Sequence, residues 1–440
     1  MVLDKQSRAR NESIMSLFGK KVLVVGIGES GLAASRWLLS QGALVTVSEI
    51  RERSDMDSWL LDDLSNGGIR LELGGHRVET FVTSDVIVVS PGVPLVMGPL
   101  IQARKKGIPV IGEVELASRY LKTPCIAITG TNGKSTVVTL LGDMLREAGK
   151  RVFVGGNIGR PLTNYIADEQ GADYVVLEVS SFQLDTAQSF SPFIALILNV
   201  SPDHLERYSS YEAYAQSKER IFENQGPGQI AILNDDDPWL RTVHPQNGSA
   251  VYRYGFHQKP ERHAFLDKDR IMAALSPNKK ITVNFERFAL LGDHNRANLM
   301  AAVLVSLILD LPQPAIQGAA DHFKGLSHRM EPVTTVRGVT FYDDSKATNI
   351  DAAIKSITSF SRPIVLIAGG MHKGSDYDAL VEASVGRVKS AVFLGAATPL
   401  LADAFDTTIL WQRADTMEHA VSLAFERARD GRGSRSGSGL

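Results

Sequence analysis

Residues 127–136, AITGTNGKST, follow an apolar, β-branched run and precede a helical pattern, so they read as a phosphate-cradling loop joining a strand to a helix. That placement demands an α/β framework and predicts a nucleoside triphosphate as ligand. The usual form is GxxxxGK[ST]; here Ile128 stands at the first glycine position, leaving TGTNGKS with Gly130, Gly133, Lys134 and Ser135. The two glycines let successive amide N–H groups converge on one anion, and the helix opening near Ser135 adds its positive end. Lys134 is then expected over the β and γ phosphates, with the Ser135 hydroxyl on Mg²⁺. A plain GTNGK turn is the competing reading, and the strand-loop-helix context speaks against it.

At 440 residues the chain exceeds one ordinary core and predicts about three domains. Its 47 basic and 49 acidic residues leave a formal charge of -2, which argues against nucleic acid or an anionic membrane as partner. The one cysteine, Cys125, cannot form an intramolecular disulfide, which fits the cytoplasm. The first twenty residues lack the continuous apolar run of a signal peptide, and the apolar stretch 299–309 is too short to cross a bilayer. No membrane insertion is expected.

KVLVVG, GIGESG, AASRWLLSQG and ALVTVSE form a βαβ pattern with a GxGxxG of Gly26, Gly28 and Gly31, and Glu49 closes the second strand. Alone, that fingerprint also fits an NAD-dependent oxidoreductase. DVIVVSPGVP brings Ser90 to Gly92 to the same sheet edge. A second α/β unit follows a boundary near 121–124, and a third begins around 325–329. Residues 244–288 read as hairpins or loops. The last ten residues, GRGSRSGSGL, with four glycines and three serines, read as a flexible tail. The expected domains are 1–121, 122–326 and 327–430, followed by 431–440. A GTPase is disfavoured because no NKxD-type motif follows the phosphate loop.

GIGESG, TGTNGKST, GGNIG, LEVSSFQL, NVSPDHLERY, YAQSKERIF, GDHNRAN, LSHRME and DDSKATN occur in one order. In that order the chain resembles the Mur ligases of bacterial cell-wall synthesis, over roughly residues 20–429. The resemblance implies a Rossmann-like domain for the UDP part of the substrate, a central P-loop ATPase domain and a Rossmann-like C-terminal domain. It implies ATP and Mg²⁺, with UDP-N-acetylmuramoyl-L-alanine and D-glutamate as substrates of a monomer. Activation of the carboxylate as an acyl phosphate would precede amide formation.

Residue by residue, the resemblance implies the following roles. Gly130, Thr131, Asn132, Gly133, Lys134, Ser135 and Thr136 surround ATP, together with Asn295, Asn298, Arg329 and Asp344. Glu178, His204 and Ser135 serve Mg²⁺, as does Lys218 in carbamylated form. Lys134, Glu178, His204, Lys218 and Arg329 form the catalytic set. Gly28, Glu29, Ser30, Glu49, Gly92, Asn157 and His204 contact the UDP substrate. Lys346, Thr348 and Lys373 hold the incoming amino acid, two cations suiting a dicarboxylate. Read without the family, Lys218 on its helix is a solvated charge, Asn295 a helix cap and Arg329 half of a surface ion pair. Asp344, Lys346 and Thr348 are expected at the carboxyl edge of the third sheet. The family's third domain continues with a segment that supplies a serine and a phenylalanine to glutamate; its absence here reads as a truncation that exposes a sheet edge. A weakly active or inactive nucleotide-binding protein is therefore the alternative function.

Overall fold

The computed structural model describes residues 16–168, 170–372 and 376–429. The N-terminal sheet comprises β1 (Lys21–Val25), β2 (Leu44–Ser48), β3 (Arg70–Glu72), β4 (Val86–Val89) and β5 (Val110–Gly112). All are parallel, in the order β3-β2-β1-β4-β5. The strand order reverses between β1 and β4, which opens a ligand crevice at their carboxyl ends. Helix α1 (Glu29–Ser40) starts there, and the chain turns so tightly into it that a Cβ on Gly31 would lie 2.0 Å from the Gly26 carbonyl oxygen.

The central sheet has nine strands: β6 (Cys125–Thr129), β7 (Val152–Gly156), β8 (Tyr174–Glu178), β9 (Ile194–Ile197), β10 (Ile230–Asn234), β11 (Ala250–Tyr254), β12 (Ala264–Asp267), β13 (Arg270–Ser276) and β14 (Lys279–Asn284). Their order is β14-β13-β12-β11-β10-β9-β6-β8-β7. CIAIT of β6 is buried on both faces, as a central parallel strand must be. Helix α2 (Lys134–Glu147) covers this sheet and packs on helix α4 (Asp293–Ile308), while α3 (Tyr211–Glu219) lies by the carboxyl ends of the strands. The expected hairpins in 244–288 are present as the antiparallel meander β12-β13-β14, whereas β11 continues the parallel sheet.

The C-terminal part holds β15 (Glu331–Val336), β16 (Val339–Asp343), helix α5 (Ile350–Thr358), β17 (Ile364–Gly369), β18 (Val388–Leu394) and β19 (Trp411–Arg413). β17-β18-β19 form a parallel sheet over Ile357, Phe393, Leu401 and Phe405. One expectation is corrected here. The strand leading to Asp344 pairs as a separate antiparallel hairpin, β15-β16, because Arg337 and Gly338 both take positive φ (50° and 80°) and make a tight two-residue turn. Asp344, Lys346 and Thr348 therefore follow a hairpin and not the edge of the third sheet. The proposed tail 431–440 lies outside the described residues. No helix among the described residues is long and apolar enough to cross a membrane.

Candidate functional site

Three strand ends of the central sheet meet at the phosphate loop. β6 delivers Gly130 and Gly133, whose φ values of 152° and 86° lie where side chains are strained. The backbone N–H of Asn132 donates to Asn199 Oδ1 (2.9 Å), and Asn199 Nδ2 returns a bond to the Asn132 carbonyl (3.0 Å), so the loop after β9 braces the loop after β6. Thr131 is buried between the Ser201 carbonyl and the Tyr214 hydroxyl, and Thr136 is buried in the first turn of α2.

Ser135 Oγ donates to Glu178 Oε2 (2.8 Å) and accepts from Arg329 Nη2 (3.2 Å), while Asn157 Nδ2 donates to Glu178 Oε1 (2.9 Å). The four residues come from four separate segments and bring a hydroxyl, a carboxylate, an amide and a guanidinium together. The Ser135 and Glu178 oxygens are the hard donors Mg²⁺ prefers. Arg329 reaches across from the C-terminal part, so the plain surface ion pair is not what it makes.

Lys134 Nζ folds back on the carbonyls of Gly130 and Thr131, 2.9 Å from each; burial pushes its pKa below the usual lysine value. Lys218 is not a solvated charge: it is 2 % exposed, with Nζ 3.0 Å from the Gly130 carbonyl and 4.4 Å from the Tyr214 ring centroid. Desolvation, reinforced by the Lys134 charge, holds its pKa well below the usual range. His204, at φ 56°, lies against Phe182 with ring centroids 4.8 Å apart and Nδ1 3.3 Å from Glu206 Oε1.

Asn295 does not cap its helix. Gly292 is the N-cap of α4, and the Asn295 amide donates to the Leu291 carbonyl (2.7 Å) while its Oδ1 accepts from Asn298 (3.2 Å). Asn298 in turn presses on the phosphate loop, since a Cβ on Gly133 would lie 2.3 Å from its Oδ1.

At the N-terminal crevice, Gly28 and Glu29 are exposed and Ser30 is half-buried at the start of α1. Glu49 is buried beneath them. It accepts from the Ile27 N–H (2.8 Å) and pairs with Arg51 (3.2 Å), which holds it at a pKa of about 2 although burial alone would raise it. Exposed Gly92 is flanked by the carbonyls of Pro91 and Val93, to which Arg207 donates from the central domain at 3.0 and 3.2 Å.

Asp344 is turned inward: it accepts from the Met330 N–H (3.0 Å) and from the Ser356 hydroxyl. Lys346 and Thr348 are exposed beside it, and Lys373 lies outside the described residues. His328 Nδ1 is 2.7 Å from Asp343 Oδ2 at the domain junction. Sequence reasoning missed Asn199, Asp203, Arg207 and Asp351, which join these pieces; NVSPDHLER was the available signal for the first three.

Residues 20–112 match the Mur ligase MurD-like N-terminal domain, 128–306 the Mur ligase middle domain, and 328–433 the Mur ligase glutamate ligase domain. The chain is 41% identical over 412 residues to the UDP-N-acetylmuramoylalanine--D-glutamate ligase of Desulfosudis oleivorans, covering 94% of this chain and 90% of that one. It is 43% identical over 419 residues to the ligase of the same name from Acidobacterium capsulatum, covering 95% and 91%. In fold it is similar to a pseudomurein peptide ligase type C from Methanothermus fervidus (TM-score 0.59, 21% identity, 93% and 94% covered). It is also similar to a UDP-N-acetylmuramate-alanine ligase from Thermotoga maritima (TM-score 0.56, 19% identity, 90% and 91% covered). The chain belongs to the Mur ligase family of ATP-dependent ligases.

Proposed function

We propose that this chain joins D-glutamate to UDP-N-acetylmuramoyl-L-alanine, consuming ATP, in the synthesis of peptidoglycan precursors. The observation that carries this reading is the convergence of Lys134, Ser135, Glu178, Asn157 and Arg329 at one phosphate loop, in a chain with relatives of that name over nearly its whole length. The UDP portion is assigned to 1–121, with Gly28, Ser30 and Gly92 at the crevice, ATP to 122–326 and the amino acid to 327–430. The reaction is placed in the cytoplasm, where ATP is supplied.

A carboxylate is too poor an electrophile for amines in water. ATP converts it to an acyl phosphate, the amine of D-glutamate attacks, and the tetrahedral adduct expels phosphate. Lys134 and Arg329 supply the positive charge that phosphoryl transfer requires, and the loop N–H groups orient the anion. Ser135 and Glu178 would hold Mg²⁺, with His204 and a carbamylated Lys218 for a second ion. Bound there, the ion neutralises phosphate charge. A neutral lysine amine is the form that captures CO₂, and the burial of Lys218 favours that form. Lys346 and Thr348, with Lys373, are assigned to the amino acid.

The deciding assay is ADP release from the purified chain. It should require UDP-N-acetylmuramoyl-L-alanine and D-glutamate together; a chain that binds ATP but releases no ADP, or releases it slowly whether or not D-glutamate is present, would support the weakly active or inactive nucleotide-binding alternative instead.

A further inference from the structure

The C-terminal domain touches the central one through the first turn of α5. Asp351 stands at the second position of that helix, and a single oxygen, Oδ2, accepts from Asn132 Nδ2 in the phosphate loop (2.7 Å), from Ser201 Oγ in the His204 loop (2.9 Å) and from Lys355 Nζ on its own helix (2.6 Å). The neighbouring Asn349 repeats the pattern. Its Oδ1 caps α5 through the Ala352 N–H (2.8 Å), while its amide donates to Asn132 Oδ1 (3.3 Å) and Asp203 Oδ2 (3.1 Å).

An acid at a helix N-terminus with a lysine four residues on is ordinary helix stabilisation. That accounts for the bond to Lys355 and for neither of the other two. Charge-assisted bonds to two different catalytic loops of another domain make a positioning device. The Asn132–Asn199 bonds already brace the loop bearing Lys134 on the loop bearing His204, and α5 adds a further point of attachment that grips both at once.

We propose that Asp351 is a positioning residue that couples docking of the amino-acid domain to the geometry of the phosphate and His204 loops. The inference deepens the function proposed above and rests on it. Asp351 acts through Asn132 and Ser201. Its loss lowers turnover and leaves nucleotide affinity intact.

The test compares Asp351→Ala, Ser201→Ala and the double variant. Ser201→Ala removes one inter-domain bond while sparing the charge and the Lys355 pair that stabilise α5, so it separates coupling from helix stability. D-glutamate-dependent kcat should fall about tenfold in Asp351→Ala and less in Ser201→Ala, and the double variant should be no worse than Asp351→Ala. ADP affinity should be unchanged in all three. Small-angle X-ray scattering with ADP and Mg²⁺ should show a larger radius of gyration for Asp351→Ala than for the unsubstituted chain. Unchanged kcat with unchanged scattering overturns the proposal, as does a fall in ADP affinity equal to the fall in kcat. A chain that docks through Asp351 in the scattering arm yet forms no D-glutamate-dependent ADP overturns the functional reading instead.

Discussion

The amines of Lys134 and Lys218 donate to one acceptor, the carbonyl oxygen of Gly130, at 2.9 and 3.0 Å. Both are desolvated, and the Lys134 charge further disfavours a charge on Lys218. A lysine whose folded pKa lies below its unfolded value weakens the fold progressively as pH falls below about 10.4. Lys218→Met should therefore raise the thermal midpoint at neutral pH in CO₂-free buffer, and the gain should shrink as pH rises toward 10.4. The same variant should lose turnover on the order of 10²-fold or more. In the unsubstituted chain, ¹³C-bicarbonate should give a carbamate carbon resonance that Lys218→Met lacks. Absence of that resonance would remove the carbamate while leaving the rest of the site standing.

The N-terminal and central domains are welded by two glutamates of the helix Glu113–Ser118, and their pH responses oppose each other. Glu115 accepts from the N–H groups of Gln188, Ser189 and Phe190, from the Ser189 hydroxyl and from Arg119. Burial works to raise its pKa, and these bonds prevail and lower it. Its contribution is full above the unfolded carboxyl value of about 4.3 and is lost as pH falls through the folded one. Glu115→Gln should cost about 1–3 kcal/mol at pH 7, by denaturant unfolding, and far less in acid.

Glu113 behaves in the opposite sense. Burial raises its pKa, Oε1 accepts from the Thr163 N–H and hydroxyl at 2.6 Å each, and Oε2 has no hydrogen-bond partner among the described residues. Its stabilising contribution is present below the unfolded value and is lost as pH rises through the folded one. Glu113→Gln, the shape of the protonated acid, should be neutral at low pH and stabilising at alkaline pH. A Glu113→Gln variant that loses stability as pH rises would contradict the raised Glu113 pKa.

The phosphate loop, the GxGxxG turn and the alternation of strands with helices were legible because each depends on local spacing. Glycines at 130 and 133, an apolar run before them and a helix after them leave few alternatives. The helical pattern around Lys218 by itself reads as a solvated charge, and it was the family resemblance that marked this lysine as a metal-site residue, because only the tertiary placement of α3 buries it. Asp344 was assigned to the third sheet because VTFYD reads as a strand, and strand character does not reveal a pairing partner. Arg337-Gly338 was the turn signal for the hairpin. Asp351 was invisible for a related reason: its partners Asn132 and Ser201 lie 219 and 150 positions away in the chain.

Arg207 ties the central domain to the loop that carries Gly92. Its guanidinium lies 3.8 Å from the Phe182 ring centroid and donates to the Pro91 and Val93 carbonyls. Arg207→Ala should raise KM for the UDP substrate about tenfold with a smaller change in kcat. Arg207→Lys should recover little, because one ammonium cannot reproduce a planar fork that stacks and donates twice. A KM unchanged in both variants would show that the loop keeps its position without this arginine.

Gly133 and Asn298 meet so closely that they should be tested as a pair. A methyl group at residue 133 would lie 2.3 Å from Asn298 Oδ1, and φ of 86° is unfavourable to any residue with a Cβ. Gly133→Ala therefore carries two separable penalties, a clash and a backbone strain of about 1–2 kcal/mol. Asn298→Ala removes the clash together with the bond to Asn295, so the single variant sets the baseline for the double one. ADP titration should show Gly133→Ala as the weakest binder, with the double variant regaining part of the loss. The residue that remains should correspond to roughly tenfold, the equivalent of that strain. No recovery at all in the double variant would mean that the methyl group, rather than Asn298, obstructs the phosphates directly.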